Sequence, residues 1–343
     1  KNEGNQPVNF TFEIDEAGNN EWKTLKSVTV NAGKATSVPF LSTERGEWIR
    51  VKTDKNTMAT VSFNYTSPDI RSTSSDSIYK GLTTVDKTTT TGGLLYGLGD
   101  NRRALGLLAN VTVDGKISET GYYEMGDKLE LIRKEDAKTA DLIRSKFAIP
   151  QQVISIEESS VLVVDDLGRR WRLPLGNETY KKLTDQGVLR ICREVATERD
   201  LFSCMGTFYE LPAENADGYA KIRPVSTHNY RINDYASYRG MLVLTGVTPE
   251  DGKENPHVVI SDDGKAAVWV GVIDDLWTLG KPVGQGGPWK DTDVKTDVAS
   301  DPYLIAFYDK KELSLSHRSD KNVVITVEVD PTGNGDWMEY ASY

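Results

Sequence analysis

The sequence predicts an all-β protein, and its short strands and internal repeats indicate a β-propeller of about five to seven blades with two short helices in connections. Apolar and polar residues alternate in about twenty short segments, which is the pattern of half-buried strands. Only residues 134–147 and 177–185 show convincing helical patterns. Repeated sheet units bury their faces by packing against one another, and this favours stacking around an axis.

The N-terminal part of the chain contains four alternating segments, at 8–15, 25–30, 48–54 and 59–66. Each is bounded by turn residues, so each is predicted to be a strand. The span 67–93 is rich in Ser, Thr and Asp and has little periodicity, which predicts a long surface connection.

The central and C-terminal parts return repeatedly to strands. Two apolar strands are predicted within 94–108, and a hairpin at 111–117 contains an Asp-Gly turn. The two predicted helices lie between groups of strands. From residue 153 onward, short alternating segments follow one another, and they are interrupted by a polar stretch at 226–240.

The two ends of the chain repeat one unit, because one spacing of residues occurs in both. The shared positions are Asp15, Gly18 and Trp22 in the first copy and Asp330, Gly333 and Trp337 in the second. We therefore predict that residues 1–343 form a single propeller whose terminal segments are copies of one unit. The alternative is a β-sandwich module at 1–70 followed by a propeller at 71–343.

The composition limits the classes of partner. With 38% hydrophobic and 27% charged residues, the chain has an ordinary globular composition. Its 51 acidic and 41 basic residues give a net charge of −10, which argues against a nucleic-acid partner. Apolar runs are too short for a membrane span. No zinc spacing, P-loop or dinucleotide fingerprint is found, so neither a metal nor a cofactor is predicted.

The densest group of hydrogen-bonding and titratable side chains lies in the polar stretch. His228 beside Tyr238 could move a proton at neutral pH, while Arg231 and Arg239 could neutralise a substrate carboxylate. A lyase that cleaves uronate-containing glycans by β-elimination needs these functions, so His228, Tyr238 and Arg239 are predicted to be catalytic. A purely structural hydrogen-bond cluster is the alternative.

Carboxylates suggest a second chemistry. Glu124 and Glu210 each follow a pair of aromatic residues, in Y-Y-E and F-Y-E. Together with Asp100, they are predicted to supply the acid and the nucleophile or base of a glycoside hydrolase. The alternative places both glutamates on the outer faces of strands beside core aromatics.

Four residues are predicted to bind the substrate: Arg102, Asn229, Arg231 and Trp289. Trp289 ends the run G-Q-G-G-P-W, in which glycines permit close backbone approach and the indole offers a flat face to a sugar ring. A core position is the alternative for Trp289.

Three segments carry a resemblance to a known group of proteins. They read S-T-H-N-Y-R-I-N-D-Y-A-S-Y-R-G-M-L-V-L, D-D-L-W-T-L-G-K-P-V-G-Q-G-G-P-W-K-D and S-D-P-Y-L-I-A-F-Y-D-K-K-E-L-S-L-S-H. Over residues 94–343 the chain is similar to secreted bacterial proteins of polysaccharide-degrading systems. The resemblance implies a carbohydrate-active propeller, in the class of sialidase-like hydrolases and polysaccharide lyases.

We therefore expect a glycoside hydrolase that acts on a complex or acidic polysaccharide or oligosaccharide and is secreted or periplasmic. A polysaccharide lyase and a non-catalytic glycan-binding propeller are the alternatives.

Overall fold

Short antiparallel strands make up most of the regular structure in the computed structural model. The described residues are 1–41, 43–65, 68–99, 103–146, 154–182, 190–196 and 199–343. They form six antiparallel sheets, which confirms the predicted all-β class. The chain divides into two units, one of Lys1–Ser67 with Leu313–Tyr343 and the other of Pro68–Glu312.

The first unit contains a three-stranded sheet of β1 (Val8–Asp15), β2 (Trp22–Val30) and β3 (Trp48–Thr53), in the order β2-β1-β3. The central strand, β1, buries Phe10 and Phe12, which pack with residues of β2 and β3. The alternation seen in the sequence therefore corresponds to a sheet with one buried face.

The strand predicted at 59–66 is wrong for residues 60–65, which form no strand. Ala59 makes only an isolated bridge to Asn2. Alternating apolar and polar residues fit the two faces of a strand. A strand must also pair with the open edge of a sheet in the correct register, and the local sequence pattern contains no information about that edge.

The second unit contains four antiparallel sheets. Three are meanders, in which neighbouring strands follow one another along the chain. Their strands are β4 (Thr89–Gly97), β5 (Leu105–Val113), β6 (Lys116–Met125) and β7 (Leu131–Lys134); β8 (Ile154–Ile156), β9 (Val161–Val164) and β10 (Arg170–Leu173); and β11 (Cys192–Ala196), β12 (Arg199–Cys204), β13 (Thr207–Pro212) and β14 (Arg223–Thr227). The fourth sheet has the order β15-β16-β18-β17 and consists of β15 (Tyr235–Tyr238), β16 (Met241–Leu244), β17 (Val258–Ile260) and β18 (Ala267–Gly271).

These four sheets pack face to face in series, because the two inner sheets are apolar on both faces. In β16, Leu242 packs with residues of the β11–β14 sheet, whereas Val243 packs with residues of the β4–β7 sheet. In β13, Phe208 packs toward the β15–β18 sheet and Tyr209 toward the β8–β10 sheet. The series is therefore β4–β7, β15–β18, β11–β14, β8–β10. A closed ring of blades is not identified among the described residues, so the blade count stays a prediction.

Helices are few in the described part of the chain. The helix predicted at 134–147 is confirmed over α1 (Ala137–Lys146), whereas Lys134 ends β7 and Phe147 lies outside the described residues. Ile143 of α1 packs on the β4–β7 sheet. The second predicted helix is only a short 3₁₀ turn, Glu178–Lys182, over its described residues. A single unpredicted turn, α2 (Pro249–Gly252), precedes β17. Further 3₁₀ turns are Ser77–Tyr79, Glu214–Ala216, Gly218–Lys221 and Ile273–Thr278.

The predicted Asp-Gly hairpin turn is confirmed. Asp114 and Gly115, which have φ values of +48° and +78°, are the only residues between β5 and β6. Positive φ at both central positions matches the twist of the flanking strands.

The second copy of the terminal repeat, in the first unit, is a hairpin of β19 (Thr326–Val329) and β20 (Met338–Ser342). Its loop has the same design as the β1–β2 loop. Asp15 accepts backbone hydrogen bonds from Gly18 (2.9 Å) and Asn20 (2.8 Å), and Asp330 accepts the equivalent two at 2.9 and 2.7 Å. The Asp and the Gly of the repeat are thus explained by turn geometry.

None of the helices in the described part of the chain combines the length and hydropathy that a bilayer crossing requires. Cys192 and Cys204 are both free thiols.

Candidate functional site

The side chain of His228 is enclosed in the core, with 5% of the residue exposed. Its Nδ1 accepts a hydrogen bond from the Tyr230 N–H (3.1 Å) and lies 3.2 Å from the Tyr180 hydroxyl, and Phe208 packs on the ring. Burial lowers the pKa of His228 to about 3, so the imidazole is neutral at physiological pH. A substrate cannot reach this ring, and the geometry does not support the predicted role of His228 as a base.

Arg231 is also buried, at 4% exposure. Its backbone N–H donates to Thr83 (2.7 Å) and its guanidinium donates to the carbonyl of Lys87 (3.0 Å). The neighbouring Asn229 is exposed and its carbonyl accepts from Val85. Arg231 therefore joins its own segment to the backbone at Thr83 and Lys87. Its buried guanidinium does not face a substrate carboxylate, so the structure does not support its predicted binding role.

Asp234 is the most connected residue of the polar stretch and was not among the predicted site residues. It is fully buried, and Arg190 donates to it at 2.8 Å. It also accepts the backbone N–H groups of Leu95 and Tyr235, both at 2.8 Å. Because these partners belong to different sheets or connections, Asp234 ties β4 to β15, and the polar stretch serves largely to join sheets.

Tyr238 and Arg239 contact each other but form a separate group. The Tyr238 hydroxyl donates to the carbonyl of Arg103 (2.9 Å) and accepts from Arg239 Nε (3.0 Å). Arg239 is exposed and has a φ of +51° in the turn between β15 and β16. The described contacts of His228 include neither residue, so the set predicted for a lyase is not assembled at one place.

Glu124 and Glu210 lie on the third strands of two different sheets. Glu124 accepts from the Tyr122 hydroxyl (2.7 Å) on the face covered by α1. Glu210 forms ion pairs with Arg199 (2.9 Å) and Arg223. The described contacts do not join the two carboxylates, whereas a glycosidase places its pair on either side of one bond.

Two further predicted residues, Asp100 and Arg102, lie outside the described residues.

Trp289, another predicted site residue, lines a cleft. This cleft, here called the Trp289 cleft, has a volume of about 520 Å³. Its lining residues are Glu157, Glu158, Ser159, Arg172, Pro288, Trp289, Lys290, Thr292, Ala299, Ser300 and Asp301. Volumes of this order are typical of small-ligand sites.

Glycine explains how the loop before Trp289 reaches this position. Gly286 has a φ of +120°, and a Cβ there would lie 2.0 Å from the carbonyl oxygen of Ser159. The next residue, Gly287, donates its N–H to that carbonyl (2.9 Å). Only glycine allows this approach, which brings Trp289 beside the β8–β10 sheet.

The floor of the cleft is the far face of β10. Arg170 and Arg172 alternate with Leu173, which packs toward the β11–β14 sheet, so the two arginines project from the opposite face. The segment after residue 300 pairs along this strand, because Arg172 N–H donates to Pro302 (2.8 Å) and Leu304 N–H donates to Arg172 (2.9 Å).

Arg172 organises the charges of the cleft. Its Nη1 donates to Glu157 (2.7 Å) and Ser160 (2.8 Å), and its Nε donates to Asp301 (2.8 Å). Arg170 also donates to Asp301, at 3.0 Å. Burial would raise the pKa of Asp301, but hydrogen bonds from Arg170 and Arg172 hold this pKa below its ordinary value. Asp301 is therefore an anion of fixed orientation.

Trp289 remains open beside this network, with 42% of the residue exposed. Lys290 next to it lies 3.5 Å from Glu158. The cleft thus combines one aromatic face with fixed donors and acceptors, which suits a polar ligand with an apolar face. Sequence analysis missed Arg172, Glu157 and Asp301, although the R-x-R alternation of β10 indicates two cations on one face.

No group of three or more potential metal ligands is found among the residues that the structure describes. Comparison with models of protein families, with curated proteins and with solved structures finds no match to this chain.

Proposed function

We propose that the chain binds a glycan in the Trp289 cleft. The observation that carries this proposal is the half-exposed indole of Trp289 beside the Arg172 network in a polar cleft of about 520 Å³. Sugar rings present an apolar face that stacks on indole and a rim of hydroxyls that bond to charged groups. Because the charged groups are already held by one another, little side-chain entropy is lost on binding.

The charge of the cleft favours a neutral glycan over a polyanionic one. Its lining contains three carboxylates, Glu157, Glu158 and Asp301, and two cations, Arg172 and Lys290. Arg170, on the same face of β10, also bonds Asp301 and brings the charges to balance, so the cleft offers a uronate-rich chain no excess of positive charge. The polysaccharide lyase alternative, which rests on His228, Tyr238 and Arg239, receives less support.

We also propose that the four sheets of the second unit are blades of a propeller-like arrangement. The serial face-to-face packing of short antiparallel sheets supports this proposal. From the sequence resemblance alone we also propose a secreted or periplasmic location, which fractionation of the source cells would test.

The binding proposal is tested by calorimetric titration with a panel of plant and algal oligosaccharides. We expect Trp289→Ala to weaken binding roughly tenfold or more, because the stacking face is lost. Trp277→Ala is the matched control, since Trp277 is also 42% exposed but does not line the cleft. Equal losses in both variants, or no binding by any glycan of the panel, would contradict the proposal.

Glycoside hydrolysis is the second candidate function. Glu157 and Asp301 face the same cleft and share Arg172, which favours a carboxylate chemistry there. Hydrolysis would be supported if the wild type releases reducing ends from a glycan and both Glu157→Gln and Asp301→Asn abolish this release. Binding without any product would leave a non-catalytic glycan-binding protein, and an unsaturated product would indicate a lyase.

A further inference from the structure

Arg172 has hydrogen-bond donors that the network of the Trp289 cleft does not use. A guanidinium carries five N–H groups in a rigid fork. The Nη1 of Arg172 donates to Glu157 (2.7 Å) and Ser160 (2.8 Å), and its Nε donates to Asp301 (2.8 Å). Its Nη2 makes no hydrogen bond to any residue that the structure describes. The N–H groups of Nη2, on a cation of fixed orientation, therefore remain for a ligand.

These N–H groups are reachable from the cleft. Arg172 lines the cleft, although its side chain is only 11% exposed. In the described part of the chain, the enclosed polar side-chain atoms without a partner belong to Tyr79, Ser226, His228 and Asn233. Nη2 of Arg172 is not one of them, so it retains accessible surface. A donor that is largely desolvated and unpaired gains more from a ligand acceptor than a fully solvated donor does.

An open acceptor lies beside this donor. Glu157 bonds Arg172 through Oε2, whereas its Oε1 accepts no hydrogen bond within the described ranges, and its side chain is 40% exposed. Because the guanidinium is planar, Nη2 is the neighbour of Nη1 and lies close to the carboxylate that Nη1 holds. Arg172 and Glu157 thus present a donor and an acceptor side by side.

A donor and an acceptor in this arrangement favour one chemical group over others. A vicinal diol places two hydroxyls side by side, and each hydroxyl can both accept and donate. A carboxylate or sulfate only accepts, so it would satisfy Nη2 of Arg172 but would bring a like charge against Glu157. In an acetamido group the C=O and the N–H point in opposite directions, so one such group does not serve both residues.

We propose, on the basis of the glycan binding proposed above, that the Trp289 cleft selects neutral sugars by a vicinal diol. One hydroxyl accepts from Arg172 Nη2 and the next donates to Glu157, while the sugar ring stacks on Trp289. A cleft of about 520 Å³ takes a ligand larger than a single sugar ring, so the diol belongs to rings along a chain. Arg172 and Glu157 therefore determine which sugar binds, and Trp289 supplies the stacking face.

Calorimetric titration of the full chain with neutral hexaoses tests this selection. Cellohexaose, xylohexaose and β-mannohexaose are linked through carbon four and keep adjacent free hydroxyls on carbons two and three of every inner ring. Laminarihexaose is linked through carbon three, so its inner rings have no vicinal diol. We expect at least one of the first three to bind roughly tenfold more tightly than laminarihexaose, which is the effect of one charge-assisted hydrogen bond. Equal affinities, or binding only of charged or acetylated glycans, would overturn the diol.

The variant Arg172→Lys separates this inference from glycan binding itself. Lysine keeps the charge but lacks the fork, so the preferred hexaose should bind roughly tenfold more weakly, whereas laminarihexaose should change little. Arg169→Lys is the matched control, since Arg169 also pairs with carboxylates, those of Asp165 and Glu214, but does not line the cleft. Weaker binding in Trp289→Ala, together with equal affinities in the two lysine variants, would refute the diol and retain glycan binding. Failure of every glycan to bind the wild type would refute both.

Discussion

The polar stretch at 226–240 and the Trp289 cleft contain similar residue types, but their surroundings differ. In the polar stretch, His228, Arg231 and Asp234 are buried and bonded to backbone groups of other elements. In the cleft, Arg172 is paired as well, yet Trp289 beside it stays open to solvent. In the polar stretch, many polar residues close together therefore indicate a structural junction between sheets. In the Trp289 cleft, the exposed indole beside the hydrogen-bonded Arg172 network indicates a candidate binding site.

The largest expected effect comes from the buried carboxylate of the polar stretch. Asp234→Ala should lower the free energy of unfolding by about 3–5 kcal/mol, because it leaves Arg190 and two backbone N–H groups without their buried partner. Urea unfolding measures this loss. Asp262→Ala, at an exposed hairpin turn, is the control and should change little. A loss below about 1 kcal/mol for Asp234→Ala would mean that this junction is not structural.

The pH dependence of stability tests the burial of His228. The folded pKa is about 3, against an ordinary value of 6.5, so between these values the unfolded chain binds a proton that the folded chain does not. Stability from this group is present above pH 6.5 and is lost as the pH falls toward 3. His228→Gln should flatten the slope by up to about 1.4 kcal/mol per pH unit.

Unfolding of the wild type and His228→Gln at a series of pH values measures this difference. His317→Gln, at an exposed position, serves as the control. Parallel pH profiles for wild type and His228→Gln would show that the imidazole is accessible to protons in the folded chain.

Loss of Arg172 in the Trp289 cleft should lower the free energy of unfolding less than loss of Asp234. Arg172→Met should cost about 1–3 kcal/mol, since Arg172 is partly buried and its loss leaves Glu157 and Asp301 close together. Arg170→Met is the control because Arg170 also bonds Asp301 but its side chain is 49% exposed, against 11% for Arg172. Thermal unfolding of both variants tests the order, and a larger loss for Arg170→Met would reverse the role assigned to Arg172.

The smallest expected effect on stability is that of Trp289→Ala, within about 0.5 kcal/mol, although the same change should weaken glycan binding roughly tenfold or more. Denaturant unfolding measures it. A loss of more than about 2 kcal/mol would place Trp289 in the packing of the cleft wall and would weaken its assignment as a free stacking face.

Local patterns in the sequence predict much of the fold. Alternation locates β1 and β3, the Asp114–Gly115 turn locates a hairpin, and the repeated Asp and Gly locate two equivalent loops. Alternation fails at residues 60–65, because strand pairing also requires an open edge in register. Of the site residues, only Trp289 was predicted and lies in the cleft, where glycines set the path of its loop.

The sequence by itself determined the all-β class, the terminal repeat and the net negative charge, since each follows from local pattern or composition. Only the tertiary structure decided which polar residues are buried and which residues meet. Asp234 receives its bonds from Arg190 and Leu95, and Arg172 meets Asp301 from a segment far along the chain. The reason is physical: the pKa, exposure and partners of a side chain depend on the neighbours brought to it by packing, and these are distant in sequence.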